Sequence, residues 1–249
     1  MRTFFYLFFS LSLLLLAGCA ATMPPTKSAE TYFKEGEEFY AEKHYEDAIA
    51  QWKKVKESYF SPQLTAMAEL KIADAQFESG SYIEAAASYE DFRKLHPSNE
   101  KAPYALYRLG LCYYNQITGI DTDQTPVKNA VTVFENFLRQ YPSSEYAEYA
   151  ADVKDKLEVC RMKQVQYEIY VGRFYLRSEK YRAAIKRLEE SLANYPKSPV
   201  HDETLLYLGE AYILAGEKTK GRDVFNRLSS EYGSSKYVDE ARKFMGKYY

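Results

Sequence analysis

Small residues recur along the chain at a fixed spacing. Gly36, Ala73 and Gly110 follow one another at 37-residue intervals, and Gly172 and Gly209 repeat the same interval. A second small residue stands twelve positions after most of them, and a bulky residue follows four positions later. The bulky set comprises Trp52, Tyr89, Leu188 and Phe225. Small residues let paired helices approach closely and bulky ones fill the space between repeats, so the pattern predicts stacked helix pairs.

The period is close to that of the tetratricopeptide repeat, which is usually about 34 residues. No segment shows the sustained alternation of apolar and polar residues that is typical of a strand. We therefore predict an all-α fold, a superhelical array of five tetratricopeptide-like helix-turn-helix repeats over residues 30–249. The repeats are expected near residues 30–61, 62–98, 99–142, 143–197 and 198–249.

Two departures from the period predict where the array is irregular. In repeat 3 the second small residue, Ala130, follows Gly110 by twenty positions instead of twelve, and the extra residues between 115 and 125 predict a long loop. In repeat 4, the stretch 144–177 has no proline and is rich in residues that favour helix. It is predicted to be one long helix with about five extra turns.

The first helix of each repeat should line the concave side of the array, where tetratricopeptide-like proteins usually bind their partners. Positions one before, one after and four after each small residue are therefore candidates for a groove. In repeats 1 to 3 the groove candidates on these first helices include Tyr40, Phe77, Tyr104, Tyr107, Leu111 and Tyr114. Repeats 4 and 5 offer Arg173 and Glu210 instead.

Two interpretations of these side chains stay open. In the first, the amino-terminal half binds an extended peptide with aromatic side chains, while the carboxy-terminal half docks a folded protein. In the second, several of the rings simply pack against neighbouring repeats, because a tyrosine suits a half-buried helix face. The direction of the groove is inferred from the pattern, so the sequence favours neither.

The amino-terminal end has the composition of an export signal. Arg2 is followed by thirteen almost purely apolar residues, 4–16. A single transmembrane anchor is the alternative, but a membrane-spanning helix needs ~20 residues. The apolar run is too short for that role, which favours a cleaved signal.

The four residues 16–19, Leu-Ala-Gly-Cys, are similar to the bacterial lipobox. The resemblance implies that the signal peptide, residues 1–18, is removed and that Cys19 carries a diacylglyceryl group and a further acyl chain. Several acyl chains anchor a protein stably, whereas one binds only marginally. Residues 19–29 would form a lipidated tether, and Ala20, where inner-membrane lipoproteins often carry aspartate, favours the outer membrane.

Composition excludes some partners. The chain has 33 Lys and Arg against 35 Asp and Glu, a formal net charge of −2, and no basic block, so neither nucleic acid nor an anionic membrane surface is an expected partner. Cys112 and Cys160 lie in strongly helical segments. They are expected to be buried, unpaired thiols, although an exported protein could pair them.

No motif in the chain predicts catalysis, a metal or a cofactor. The three histidines are scattered, and no phosphate-cradling loop is present. The segment 121–123, Asp-Thr-Asp, is similar to the start of a calcium loop. However, Pro126 stands where glycine is needed and Thr132 where a bidentate glutamate is needed. A non-catalytic protein is therefore predicted.

The lipobox-like motif, the repeats and their two irregularities together resemble the BamD family, lipoprotein subunits of the machine that assembles β-barrels in the outer membrane. The resemblance is carried by residues 121–126, Asp-Thr-Asp-Gln-Thr-Pro, and by the run 167–175, Tyr-Glu-Ile-Tyr-Val-Gly-Arg-Phe-Tyr, which continues at 181–185. It implies a scaffold without a cofactor, lipid-anchored at the periplasmic face of the outer membrane.

The resemblance also implies partners. In the family, the carboxy-terminal repeats contact a periplasmic domain of the core barrel subunit, BamA, and Arg187 matches a position used in that docking. The amino-terminal repeats are expected to receive the targeting sequence of unfolded barrel substrates, which ends in an aromatic residue. The other lipoproteins of the BAM complex are further implied partners.

Two other functions fit parts of the sequence. A periplasmic repeat adaptor, such as a TolA-binding coordinator of cell division, would share the repeats, but such proteins typically carry a coiled coil and lack a lipobox. A lipoprotein enzyme with a helical domain would share the anchor, but this chain shows no catalytic motif. Recovery of the barrel subunit, of TolA or of neither from outer membranes would separate the three.

Overall fold

The structure, a computed structural model, describes residues 27–57, 61–142, 146–196 and 198–248. These residues form eleven helices and no strand, which confirms the predicted all-α repeat fold. The predicted signal peptide, Cys19 and most of the tether lie outside the described residues. In chain order the helices are α1 (Ala29–Ala41), α2 (Tyr45–Glu57), α3 (Pro62–Glu78), α4 (Tyr82–Leu95), α5 (Ala102–Asn115), α6 (Thr125–Gln140), α7 (Ala147–Arg177), α8 (Tyr181–Asn194), α9 (His201–Leu214), α10 (Lys218–Glu231) and α11 (Lys236–Tyr248).

The helices stack in pairs. Each helix packs on the next in the chain, from α1 to α11. The first helices of successive pairs also touch, α1 with α3, α5 with α7 and α7 with α9. This arrangement places the first helices in one layer, which is the concave layer of a tetratricopeptide-like array. The helix α11 follows the fifth pair, contacts α9 and α10, and covers the end of the stack.

The small residues of the repeat lie against the bulky ones. A Cβ atom built on Gly36 would be 2.7 Å from Cδ1 of Trp52, and one on Gly172 would be 2.8 Å from Cδ2 of Leu188. Real Cβ atoms essentially never come within 3.0 Å of another heavy atom. Trp52 and Leu188 are fully buried. The recurring small residue therefore sets how closely the two helices of a pair approach, as the sequence pattern predicts.

Four of the helix pairs are joined by the same turn. The backbone φ angle is positive at Lys43, Gly80, Glu179 and Gly216, which occupy equivalent positions of their repeats. At the first of these turns the N–H of His44 donates to the carbonyl of Phe39 and the N–H of Lys43 to that of Tyr40. These are the two bonds of a Schellman motif, which ends a helix with a left-handed residue.

Repeat 3 has the predicted loop instead of this turn. α5 ends at Asn115 and α6 begins at Thr125. Inside the loop the hydroxyl of Thr122 donates to the carbonyl of Gly119 over 2.8 Å, and the carboxylate of Asp123 accepts from both the N–H and the hydroxyl of Thr125. These local bonds fix the loop against the start of α6.

The predicted long helix is confirmed as α7, whose 31 residues extend about 46 Å at 1.5 Å per residue. It serves two hydrophobic cores. Val153, Leu157 and Cys160 belong to the core of repeats 2 and 3. Tyr175, near its other end, packs against the core between repeats 4 and 5. The middle of α7 thus separates two packed halves, and we call it the seam, residues 161–174.

The two cysteines of the described residues are free and buried, which confirms the prediction of unpaired thiols. Burial raises the pKa of the Cys112 thiol to about 12 and that of the Cys160 thiol to about 11. Neither forms a reactive thiolate at neutral pH, so both act as small apolar core residues.

Candidate partner-binding site

Arg187 lies on α8 and faces Glu168 on the seam of α7. Its Nε atom is 2.9 Å from Oε2 of Glu168. Both atoms are buried, yet their angles are not those of a hydrogen bond, so the contact is an ion pair without hydrogen-bond alignment. Burial raises the pKa of Glu168, and the Arg187 charge partly opposes that shift. The Arg187 side chain keeps 37% of its surface exposed, so a partner can reach it.

Three separate parts of the sequence meet around this pair. They line a cavity of about 360 Å³, which we call the arginine cavity. Thr122 and Asp123 come from the repeat 3 loop, Tyr167 and Glu168 from α7, and Arg187 from α8. The insertion and the run that begins at Tyr167 each carry the family resemblance in the sequence. Only the folded structure shows that these two segments lie together at Arg187.

A second, larger cavity of about 540 Å³ adjoins the first, and we call it the apolar cavity. Gln164 and Tyr195 line both cavities. The apolar cavity lies between α6, the middle of α7 and the loop that joins α8 to α9. Its lining residues are Val131, Glu135, Glu158, Arg161, Met162, Gln164, Asn194, Tyr195, Pro196, Ser198 and Pro199.

The six aromatic and aliphatic groove candidates are all half-buried. Five of them pack against the core of repeats 2 and 3, namely Phe77, Tyr104, Tyr107, Leu111 and Tyr114. Tyr40 packs against the core of repeat 1 and contacts the ring of Tyr45 edge-on at 5.5 Å. Each side chain therefore combines a packing role with a surface that a ligand can reach, and the groove assignment stays a prediction.

A polar network that the sequence reasoning missed ties this face together. The partly buried carboxylate of Asp74 accepts from the hydroxyls of Tyr89, at 2.5 Å, and Tyr104, at 2.8 Å. Burial raises the pKa of Asp74, while the two hydroxyl donors and the Arg108 charge oppose the shift. Asp74 directly follows Ala73, a position that the repeat pattern assigns to the groove, so the same rule could have found it.

Arg108 is the positive centre of the same network. Its guanidinium carbon lies 3.8 Å from the centre of the Phe77 ring, a cation–π contact. Its Nη2 donates to Glu78 over 2.7 Å and its Nε to the hydroxyl of Tyr89 over 3.1 Å. The groove candidate Phe77 on α3 and the cation Arg108 on α5 therefore lie on the same surface.

Beyond Arg108, the candidates on α5 meet the start of α7. Tyr107 stacks on Tyr149, with ring centres 4.8 Å apart, and its hydroxyl donates to Asp152 over 2.8 Å. Lys156 pairs with the same carboxylate at 2.9 Å and lies 5.2 Å from the centre of the Tyr114 ring. Burial and the bond to Asp152 raise the pKa of Tyr107.

In the carboxy-terminal half the two groove candidates are the charged residues Arg173 and Glu210. The exposed Arg173 lies 5.0 Å from the centre of the Tyr207 ring and 3.9 Å from a carboxylate oxygen of Glu203. Burial and the nearby charge of Glu240 raise the pKa of Glu210 to about 7. Arg187 lies on α8, the second helix of its pair, whereas all the groove candidates lie on first helices.

Comparison with known proteins identifies the family. The family model described as "YfiO: Outer membrane lipoprotein" matches residues 25–228. The chain belongs to this family. "Outer membrane protein assembly factor BamD" of Rickettsia prowazekii is 29% identical over 218 residues, covering 88% of this chain and 86% of that protein. The proteins of that name from Vibrio cholerae (30% identity, 63% of this chain, 78% of that protein) and Xylella fastidiosa strain Temecula1 (32%, 77%, 65%) are similar too.

The predicted BamD resemblance is therefore confirmed. The chain is a member of this family of outer-membrane lipoproteins, and its curated relatives are outer membrane protein assembly factors. Among solved structures, the TPR2AB domain of yeast Sti1 in a pHSP90 complex aligns at a TM-score of 0.42 and 14% identity, covering 89% of this chain and 97% of that one. A likeness at that level supports no statement about function.

Two further observations concern only the described residues. No helix in them is both long and apolar enough to cross a membrane. Nor do they contain a group of three or more His, Cys, Asp or Glu side chains placed to hold a metal ion. The predicted Cys19 lipidation lies outside this part of the chain and stays a prediction.

Proposed function

We propose that the chain works at the periplasmic face of the outer membrane in two ways. It docks the core barrel subunit of the assembly machine through Arg187. It also holds unfolded barrel substrates in the groove of its amino-terminal repeats. The observation that carries this proposal is the meeting of the repeat 3 loop, the seam of α7 and Arg187 around one open cavity.

The Arg187 guanidinium is suited to docking because an ion pair holds it in place while N–H donors remain for a partner. A guanidinium has five N–H donors, and the ion pair with Glu168 involves Nε without hydrogen-bond alignment. The remaining donors can bind a carboxylate of a partner in a bidentate arrangement, which is the strong form of this contact. The loop residues of repeat 3 border the same site and would contact the partner beside Arg187.

The amino-terminal groove offers ring faces and fixed charges to an extended peptide. Tyr107 and Tyr149 form a stacked pair, and Arg108 lies over Phe77. An aromatic side chain of a substrate can add to such a cluster by stacking, and each aromatic pair contributes about 0.5–1.5 kcal/mol beyond its buried area. Tyr40 on α1 and Leu111 on α5 are further half-buried groove candidates.

The lipid anchor would keep both faces near the membrane. The first helix begins at Ala29, so a chain acylated at Cys19 after removal of residues 1–18 has a tether of about ten residues. At 3.3–3.6 Å per residue such a tether reaches roughly 35 Å at most. A Cys19→Ala protein should fold its repeats but be recovered in the soluble periplasmic fraction. Retention in the membrane without an acyl group contradicts the anchor.

Docking is tested by the affinity of the purified lipoprotein for the periplasmic domains of the core barrel subunit. Arg187→Ala should weaken binding about tenfold or more, because the partner's carboxylate loses its cation. The matched control is Arg182→Ala, since Arg182 is an exposed arginine on the same helix α8. Equal affinities of the two variants contradict docking at Arg187.

A further inference from the structure

The apolar cavity is not used by the proposed docking at Arg187, although it adjoins that site. Its apolar lining comes from Val131 on α6, Met162 on α7 and the prolines of the loop after α8. Its volume, about 540 Å³, falls in the range of about 300–1,000 Å³ that is typical of pockets for bound groups. It is partly open to solvent.

The charged side chains at the rim of this cavity form ion pairs with one another. Arg161 donates to Glu135 on α6 over 2.9 Å and to Glu158 over 3.0 Å. The Arg161–Glu135 pair joins α6 to α7 along one edge of the cavity, the Arg161–Glu158 pair lies within α7, and all three side chains are partly exposed. The charges of the rim are therefore paired with one another, and the lining beside them includes the apolar side chains of Val131, Met162 and the two prolines.

An apolar pocket inside a polar rim is the arrangement that receives an anchoring side chain at a protein interface. The shared walls, Gln164 and Tyr195, make the apolar cavity continuous with the arginine cavity. A segment that places a carboxylate at Arg187 can therefore place a neighbouring side chain in the apolar cavity. Neighbouring same-side positions of an extended strand are about 7 Å apart, which suits adjoining cavities.

We propose that the apolar cavity binds one aliphatic or aromatic side chain of the core barrel subunit, beside the group that pairs with Arg187. This inference rests on the proposed docking. Two observations point to this occupant. The two cavities are continuous, so one partner segment can reach both, and the rim charges are paired with one another, so the cavity needs no charged group from the partner. The partner segment thus carries an acidic residue and, close to it, an apolar residue that provides the anchor.

Filling the cavity tests the proposal. Val131→Trp should reduce the affinity of the full lipoprotein for the periplasmic domains of the core barrel subunit about tenfold or more, since a blocked hot-spot pocket loses its anchor. Val133→Trp is the matched control, because Val133 is also half-buried on α6 and packs against the same core but does not line the cavity. Wild-type affinity of Val131→Trp, in a protein whose binding still depends on Arg187, overturns the anchor and leaves the docking intact.

A measurement on the unaltered side chains covers the case in which Val131→Trp fails to fold. With ¹³C-labelled methionine methyl groups, addition of the same partner domains should shift the resonance of Met162, assigned with Met162→Leu. The resonance of Met67, an exposed methionine on α3, should not move. An unmoved Met162 resonance in the bound complex overturns the anchor. Absence of any Arg187-dependent binding contradicts the proposed function itself.

Discussion

Gly209 of α9 lies directly against Phe225 of α10. A Cβ atom on Gly209 would be 2.5 Å from Cδ1 of the ring, closer than packed side chains tolerate. Phe225 is almost fully buried, so a displaced ring would have to push into close-packed neighbours. The same relationship holds for Gly110 and Phe134, where the distance would be 2.6 Å.

We therefore expect Gly209→Ala to destabilise the protein by up to about 2 kcal/mol. The overpacking term of about 1–3 kcal/mol exceeds the helix propensity that alanine gains, about 1 kcal/mol. Urea unfolding followed by far-UV circular dichroism measures the difference. Gly246→Ala on α11 is the control, because nothing lies within 4 Å of its added Cβ, and it should be neutral or stabilising. A Gly209→Ala protein as stable as Gly246→Ala would contradict the packing account.

The turn between α7 and α8 predicts a stabilising substitution. Glu179 has a φ of 58°, whereas the equivalent position in repeats 2 and 5 is glycine. A residue with a Cβ in the left-handed region costs about 1–2 kcal/mol, and the greater entropy of unfolded glycine offsets part of the gain. Glu179→Gly should raise the free energy of unfolding by about 0.5–1 kcal/mol in thermal or urea unfolding. Glu179→Ala should give no such rise, and equal effects of the two would exclude backbone strain as the cause.

Much of the fold can be predicted from the sequence because the repeating small and bulky residues are the ones that pack the helices together. The 37-residue spacing of Gly172 and Gly209 reflects contacts inside and between adjacent helix pairs, and the loop and the long helix appear as additions to that spacing. The carboxy-terminal helix α11 was not separated from repeat 5, because it lacks the pairing helix that would complete the pattern.

The site could be predicted less well, since it depends on contacts between distant segments. Arg187 was found through family resemblance, but the sequence spacing says nothing of its 2.9 Å contact with Glu168 or of the cavity beside it. The Asp74 network depends on Tyr89 and Tyr104, which lie 15 and 30 residues away in the sequence, so the spacing of the repeat does not indicate it. Contacts between segments that the repeat spacing does not relate are visible only in the folded structure.

The raised pKa of Glu210 predicts a pH-dependent stability. Its protonated form is favoured in the folded state, so its contribution is fully present below the unfolded pKa near 4.5 and is lost as pH rises through about 7. Glutamine is neutral throughout. Glu210→Gln should therefore be more stable than the wild type at pH 8 by about 1–2 kcal/mol, after a discount for partial exposure, and nearly equal to it at pH 4.5.

Urea unfolding at the two pH values measures this difference. Glu240→Gln should reproduce part of the gain at pH 8, because the charge of Glu240 is the second cause of the shift. A stability difference between Glu210→Gln and the wild type that is the same at pH 4.5 and pH 8 contradicts the assignment.

The amino-terminal groove is tested with a synthetic peptide that ends in an aromatic residue. Tyr107→Ala and Tyr114→Ala should each weaken its binding about three- to tenfold, since a stacking surface is lost. Tyr107→Phe keeps the ring and its stack on Tyr149 but lacks the hydroxyl that donates to Asp152, so it should bind nearly as the wild type does. Fluorescence anisotropy measures the affinities, and Tyr170→Ala, an exposed tyrosine on the seam, is the control. Unchanged binding in Tyr107→Ala and Tyr114→Ala would show that these rings only pack.

The central claim is that this lipoprotein is held in the barrel-assembly machine through Arg187. Its most direct test is affinity purification of the tagged, acylated chain from detergent-solubilised outer membranes, comparing the wild type with Arg187→Ala and Arg182→Ala. The account predicts that the core barrel subunit is recovered with the wild type and with Arg182→Ala and is lost with Arg187→Ala. Recovery of TolA without the barrel subunit, or full recovery of the barrel subunit with Arg187→Ala, would contradict it.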